Sequence, residues 1–260
     1  MPLTRPVHPP ARKRWGQNFL VDGNYISKII AAIGPGADEH FLEIGPGHGE
    51  LTIPLARQAD SVTAIDIDPW LVEDLREQAP GNVTIIEGDV LEADVEALLP
   101  EGVRVYGSLP YYITSQILFR LIDHRHRWQD GHFMVQKEVA RRMVARPGRK
   151  DYGRLTVMLQ AYCDVTSRFN LPPTVFRPMP KVDSSFIAVV PRAETGLDDE
   201  KVFSRVVRLA FGQRRKKLSN ALKVLEAGDL LAEMGLADLR ADAVSVEAFI
   251  ELANRYAEKG

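Results

Sequence analysis

Glu43-Ile44-Gly45-Pro46-Gly47-His48-Gly49 follows directly on the short apolar segment Phe41-Leu42 and directly precedes a helical pattern at Leu51, Ile53, Pro54 and Leu55. Glycines at alternate positions let backbone approach a ligand closely. Their Gly-x-Gly-x-Gly spacing is not the Gly-x-Gly-x-x-Gly of a pyrophosphate-binding turn, which argues against a nicotinamide enzyme. A glycine loop alone is weak evidence, and its surroundings strengthen it. The next strand, Val62 to Ile65, ends in Asp66, about 20 residues after the first glycine, where a carboxylate is expected to accept hydrogen bonds from ribose hydroxyls. A third strand, Val83 to Ile86, ends near Asp89, and a fourth apolar run, Val103 to Tyr106, leads into Ser108. Acidic residues after strands are also common helix caps, so each alone reads as structural. The series Gly45, Asp66, Asp89, Ser108 is what counts, because strand ends of an open parallel sheet gather along one ligand-binding crevice.

Ser108-Leu109-Pro110-Tyr111 is a polar-apolar-Pro-aromatic turn suited to hold a flat nitrogen base. Pro110 fixes its own φ and biases Leu109 away from the helical region, so a backbone carbonyl can point into a cleft while Tyr111 stacks on a ring. A plain strand-ending proline explains the tetrapeptide by itself equally well.

The remaining pattern alternates. Gly23 to Ile33 predicts a helix with Ile26, Ile29, Ile30 and Ile33 on one face, and Tyr112 to Ile122 a second with Ile113, Ile117, Leu118 and Leu121 buried. Gly131 to Val135 reads as a fifth strand, Leu155 to Tyr162 as a helix, Val165 to Phe169 as extended chain and Ser185 to Val190 as a final strand. Such alternation predicts an α/β fold, a mostly parallel sheet covered on both faces. From Asp198 onward the pattern is helical only. The expected division is therefore 1–192 and a small all-helical domain at 193–260.

The 260-residue chain, 45% hydrophobic and 26% charged, reads as globular, and no apolar stretch approaches the ~20 residues of a membrane span. Met1 to Pro6 lacks the apolar core of a secretory signal, and Pro2, Pro6, Pro9 and Pro10 suggest a mobile arm. Cys163 is the single cysteine, which rules out an internal disulfide and fits a reducing cytoplasm. Its neighbours Tyr162 and Val165 suggest a packed thiol rather than a nucleophile. His124 and His126 fall on different helix faces without a cysteine, so no metal site is expected. The net charge of −2 hides three basic clusters: Arg12-Lys13-Arg14; Arg141, Arg142, Arg146, Arg149, Lys150 and Arg154; and Arg205, Arg208, Arg214, Arg215, Lys216, Lys217 and Lys223. Charge runs are often just solvated helix faces. Three in one chain point to RNA, with strongly salt-dependent binding.

Together with Gly16-Gln17-Asn18-Phe19-Leu20, Phe176-Arg177-Pro178-Met179-Pro180-Lys181-Val182-Asp183-Ser184 and Phe211-Gly212-Gln213-Arg214-Arg215-Lys216-Lys217-Leu218, these motifs resemble the rRNA adenine dimethyltransferases over nearly the whole chain. The chain is most similar to the members acting on small-subunit 16S rRNA, which dimethylate two adjacent adenines near its 3′ end. The resemblance implies a Rossmann-like class I methyltransferase with a seven-stranded sheet whose last strand inserts antiparallel. It also implies S-adenosyl-L-methionine as methyl donor, S-adenosyl-L-homocysteine as product and a helical rRNA-recognition domain. Transferred position by position, it assigns Asn18 and Leu20 to the methionine part, with Gly45 and Gly47 approaching from the sheet. Asp66 falls at the ribose, Asp89 at the cofactor's adenine amino group, and Ile67 and Val90 at its apolar walls, while Glu43 orients the glycine loop or reaches the cofactor's amino group through water. Ser108, Leu109, Pro110 and Tyr111 fall at the target base, with Phe176 as the second face of an aromatic sandwich or, alternatively, a cover on the core edge.

Two departures stand out, Ser108 where the family usually has Asn and Asp66 where Glu is common. Implied partners are 16S rRNA in the 30S subunit or its precursor, with Arg141, Arg142, Arg146, Arg149, Lys150, Arg214, Arg215, Lys216 and Lys217 as candidate contacts; no membrane is implied, and a monomer is expected. A large-subunit rRNA enzyme, a non-catalytic ribosome-assembly factor and a nucleotide-dependent dehydrogenase are the alternatives.

Overall fold

A computed structural model describes residues 17–258. The proline-rich arm, the Arg12-Lys13-Arg14 cluster and Gly16 lie outside the described residues. The strands are β1 (Phe19–Leu20), β2 (His40–Ile44), β3 (Ser61–Asp66), β4 (Val83–Glu87), β5 (Val103–Ser108), β6 (Trp128–Gln136), β7 (Cys163–Leu171), β8 (Phe176–Arg177) and β9 (Ser184–Pro191). Between them run α1 (Gly23–Ile33), α2 (Thr52–Ala56), α3 (Pro69–Gln78), α4 (Val95–Leu98), α5 (Thr114–Asp123), α6 (Lys137–Met143) and α7 (Arg154–Tyr162). After β9 come α8 (Glu200–Gly212), α9 (Leu218–Ala221), α10 (Gly228–Glu233) and α11 (Val246–Ala257).

Local chemistry explains the boundaries. The Asp22 carboxylate accepts from the backbone N–H of Asn24 and Tyr25 at 2.9 and 3.1 Å and starts α1, which stops at Gly34 in the left-handed region. Its buried Ile29, Ile30 and Ile33 pack into a core with Phe41, Leu55 and Tyr106. Asp68 caps α3, with Pro69 in the first turn where a missing N–H costs nothing. Predicted helix 112–122 begins two residues late. Tyr112 and Ile113 remain in the turn before α5, Tyr112 exposed and Ile113 half-buried.

Seven strands form one sheet in the order β4-β3-β2-β5-β6-β9-β7, and a two-stranded pair joins β1 to β8. β4 through β6 run parallel, whereas β9 lies antiparallel to β6. The chain leaves β2 toward β3 and β4, then returns on the other flank with β5. The ends of β2 and β5 therefore splay connections in opposite directions and open a crevice between them. Gly107 lets these strands meet: a Cβ there would stand 2.2 Å from the Ile44 carbonyl oxygen.

At the amino end of β5, Arg104 is buried yet satisfied. Its guanidinium donates to Asp130 twice at 2.8 Å, to Glu39 at 2.7 Å and to the Ile33 carbonyl at 2.7 Å. Burial alone would raise the Asp130 pKa, but hydrogen bonds from His132 and Arg104 outweigh it and pull the carboxyl down to about 2.

The described residues divide into two compact units, 17–140 with 166–191, and 141–165 with 192–258. The expected single break near 192 thus omits an excursion in which residues 141–165, including α7, pack with the helical unit. Within that second unit Thr156 Oγ1 donates to the Arg142 carbonyl, Tyr152 OH to the Val244 carbonyl at 2.8 Å, and Tyr162 meets Phe203 edge-on at 6.0 Å. Cys163 is fully buried. No helix among the described residues is long and apolar enough to cross a membrane.

Candidate active site at the carboxyl ends of the central strands

The first unit carries a cleft along the carboxyl ends of β2, β3, β4 and β5. Asn18 and Leu20 line it from the segment around β1; Glu43, Gly45 and Gly47 from β2 and its loop; Asp66 and Ile67 after β3; Asp89 and Val90 after β4; and Ser108 through Tyr111 after β5. Gln17, Phe19, Glu50, Tyr112 and Met134 also line it without having been singled out. Gln17 and Phe19 belong to a stretch already noted as a motif. Met134 carried no signal, because an apolar residue in a buried strand looks the same whether or not its end meets a cleft.

Glu43 faces into the molecule opposite Tyr106 in the β2–β5 register. Its Oε2 accepts from Thr52 Oγ1 at 2.5 Å and Tyr106 OH at 2.7 Å. Burial raises its pKa to about 7 even though both hydrogen bonds oppose the shift. Through Thr52 the carboxyl ties the end of β2 to the start of α2. Asp66 is raised to about 6, chiefly by burial and against a hydrogen bond from the Asp68 N–H at 2.9 Å. Asp89 accepts from the Leu91 N–H at 2.8 Å.

At the β5 end, Leu109 N–H donates to the Met134 carbonyl at 3.1 Å, continuing the ladder for one more residue. The Pro110 carbonyl accepts from the Ile113 N–H at 3.2 Å and from Thr114 Oγ1 at 2.9 Å. No described residue engages the Ser108 hydroxyl or the Leu109 carbonyl. Two oxygens in a concave site thus retain acceptor capacity, while the carbonyl beside them is used structurally. Tyr111 OH lies 2.9 Å from Ser184 Oγ.

Phe176 departs from the expectation of a base-stacking ring. It is 2% exposed, pairs with Leu20 through β1–β8, packs in the core with Ile30 and Phe186, and does not line the cleft. Pairing of β8 with β1 turns the ring inward, where removal from water outweighs exposure at a mouth. The alternative, a cover on the core edge, describes this structure.

The basic residues of the second unit are partly drawn together. Gly148 N–H donates to the Asp242 carbonyl at 2.7 Å and Arg214 to the Lys150 carbonyl at 2.8 Å, so the 146–150 loop lies against the start of the 214–217 run. The run looks free of acids in sequence but not in space. Arg214 approaches Asp242 at 3.6 Å and Lys217 approaches Asp238 at 2.7 Å. Arg146, Arg149, Lys150, Arg215 and Lys216 are exposed.

The open sheet with one antiparallel strand, and a cleft of glycine loop and successive acidic strand ends at its switch point, define a Rossmann-like class I methyltransferase. The family model described as ribosomal RNA adenine dimethylase matches residues 9–258, and the chain belongs to that family. It is 49% identical over 251 residues to the ribosomal RNA small subunit methyltransferase A of Xanthomonas oryzae pv. oryzae (strain PXO99A), covering 94% of this chain and 96% of that protein. The protein of the same name from Xanthomonas campestris pv. campestris (strain B100) is 48% identical with the same coverage. Among solved structures, a dimethyladenosine transferase from Plasmodium falciparum superposes with a TM-score of 0.84 at 27% identity, over 93% of this chain and 98% of that one. The 23S rRNA methyltransferase ErmE gives 0.72 at 29% identity, over 92% and 100%. The chain is accordingly an S-adenosylmethionine-dependent methyltransferase.

Proposed function

We propose that this protein transfers methyl groups from S-adenosylmethionine to the exocyclic amino nitrogens of two adjacent adenines near the 3′ end of small-subunit rRNA, dimethylating both. The observation that carries this is the turn at Ser108-Leu109, where two acceptor oxygens without a described partner stand beside Tyr111 at the end of β5. The near-full-length likeness to small-subunit methyltransferases points to the RNA. It favours that RNA over the large-subunit substrate named for the more distant ErmE.

The cleft suits the methyl donor. Gly45 adopts φ +72° and leaves room that a Cβ, 3.3 Å from the Ser108 carbonyl oxygen, would fill. Asp66 and Asp89 supply carboxylate acceptors, and Ile67, Val90 and Leu71 supply apolar walls. Asn18 and Leu20 close the methionine end, with Gly47 beneath and Glu43 holding the loop. Asp66 binds the ribose, one methylene further back than a glutamate would reach. The donor, when bound, supplies a sulfonium methyl already activated toward a nucleophile.

An adenine amino group is a poor nucleophile because its lone pair is delocalised into the ring, so positioning has to do the work that a base cannot. The Ser108 hydroxyl and the Leu109 carbonyl accept its two hydrogens and favour a pyramidal nitrogen. Tyr111 stacks on the ring of an adenine drawn out of its helix. Serine at 108, shorter than asparagine, leaves room for a nitrogen that already carries one methyl. The proton left on nitrogen after transfer departs to water.

The second unit recognises the RNA backbone through Arg141, Arg142, Arg146, Arg149, Lys150, Arg214, Arg215, Lys216 and Lys217, and the protein works as a cytoplasmic monomer in ribosome biogenesis. The test is incubation with labelled S-adenosylmethionine and 30S subunits lacking the 3′-end dimethyladenosines, followed by mapping of the modified nucleotides. Two adjacent dimethylated adenines are expected. Donor binding without transfer to 30S subunits would overturn the proposal and direct the next trial to large-subunit RNA or to an assembly role without turnover.

A further inference from the structure

A stacking ring acts as a platform only if its direction is fixed before the base arrives. Tyr111 leaves the backbone at the end of the β5 turn, where Pro110 restricts the chain. Its far end is held as well: the hydroxyl lies 2.9 Å from Ser184 Oγ, across 73 residues of sequence. Ser184 is 1% exposed and sits at the first position of β9, in register with Gln136. That position is itself fastened. The Lys137 N–H donates to the Asp183 carbonyl at 3.0 Å, and Lys137 Nζ meets Asp183 Oδ2 at 2.8 Å. The ring axis is thus tied at one end to β5 and at the other to the β6–β9 ladder. Phe176, buried away from the cleft, offers no opposite face to correct a misdirected ring.

We infer that Ser184 is a positioning residue for methyl transfer, acting through its hydrogen bond to Tyr111 to hold the base platform on axis. The inference rests on the assignment of Tyr111 to the target base. Ser184 itself is the first residue of the antiparallel strand and contributes no atom to the cleft lining. Its effect should fall on turnover and spare donor binding.

The experiment is a double-mutant cycle on 30S methylation with Ser184→Ala, Tyr111→Phe and the pair, with S-adenosylhomocysteine affinity and thermal melting measured in parallel. Each single variant should lower kcat about five- to tenfold, the worth of one neutral hydrogen bond. The pair should fall no further than either single, and S-adenosylhomocysteine affinity should stay within about twofold throughout. Because the two variants remove the same bond from opposite ends, a folding defect in one leaves the other to report. A wild-type kcat for Ser184→Ala, or losses that multiply in the pair, would overturn the positioning role. Tyr111→Leu separates the two levels: if it lowers kcat strongly while Ser184→Ala does not, the anchor alone fails. If Tyr111→Leu turns over like wild type, the assignment of Tyr111 to the base fails and takes the anchor with it.

Discussion

Replacing Tyr106 with Phe removes one hydroxyl from a fully buried position and leaves the ring, so its cost isolates the bond to Glu43 Oε2 at 2.7 Å. Glu43 has a folded pKa of about 7 against an ordinary value of 4.5, so folding draws a proton onto it. The stability this shift contributes is fully present below about pH 4.5 and is lost as pH rises toward 7. At pH 5.5 the carboxyl is protonated and the missing bond is neutral, worth about 1 kcal/mol. At pH 8.5 it is ionised, and losing a bond to a charged acceptor costs about 2–3 kcal/mol, with Thr52 still donating to the same oxygen. The variant should therefore be about 1–2 kcal/mol more destabilised at the higher pH. In titration terms, its Glu43 pKa moves up by about one unit at roughly 1.4 kcal/mol per unit. Tyr106 does not complicate the comparison, since burial pushes its own pKa well above 10. Urea unfolding of both proteins at the two pH values, followed by circular dichroism, gives the four stabilities. Equal destabilisation at both pH values would refute the idea that a titrating Glu43 takes this bond.

Gly107→Ala should prevent close pairing of β2 and β5, because the added Cβ meets backbone rather than a movable side chain; little folded protein is expected, and a wild-type melting temperature would contradict it. On the proposed assignment of Asp66 to the ribose, the ionised carboxylate is the stronger acceptor, so donor affinity in titration calorimetry should weaken as pH falls through about 6, and Asp66→Asn should flatten that dependence. Phe176→Ala should cost about 3–5 kcal/mol of stability, as large core truncations do, and a variant with unchanged melting but impaired turnover would return the ring to the cleft. Affinity for 30S subunits should fall steeply with salt, and Arg215→Ala with Lys216→Ala should each reduce the slope by about one, while a flat isotherm would remove RNA-phosphate contact from these residues.

The strand ends were legible because their signals are local. Gly45, Asp66, Asp89 and Ser108 each follow an apolar run, and the ends of parallel strands meet along one edge of the sheet, in the order Asp89, Asp66, Gly45, Ser108 once the chain has reversed direction across it. What escaped depends on partners distant in the chain. Phe176 is buried because β8 pairs with β1, a contact that no window around residue 176 announces. The 155–162 helix is apolar in the same pattern whichever unit receives it, so its place with the second unit could not be read. Arg104 in an apolar strand gave no hint that Asp130, Glu39 and two carbonyls await its guanidinium. Nothing around Gly107 in the sequence announces that its missing Cβ lets β2 and β5 touch.

The pairing of Leu20 with Phe176 carries a consequence for how the molecule is made. Every strand end that faces the cleft has been synthesised by the time residue 111 is polymerised, and the parallel strands β2 to β6 are complete at residue 136. The segment at 17–20 is synthesised before all of them, yet the backbone it docks on is among the last parts of the first unit to appear. A chain ending before residue 176 therefore has no partner strand for Phe19 and Leu20. The pair β1–β8 thus joins one of the first described segments to one of the last of the first unit.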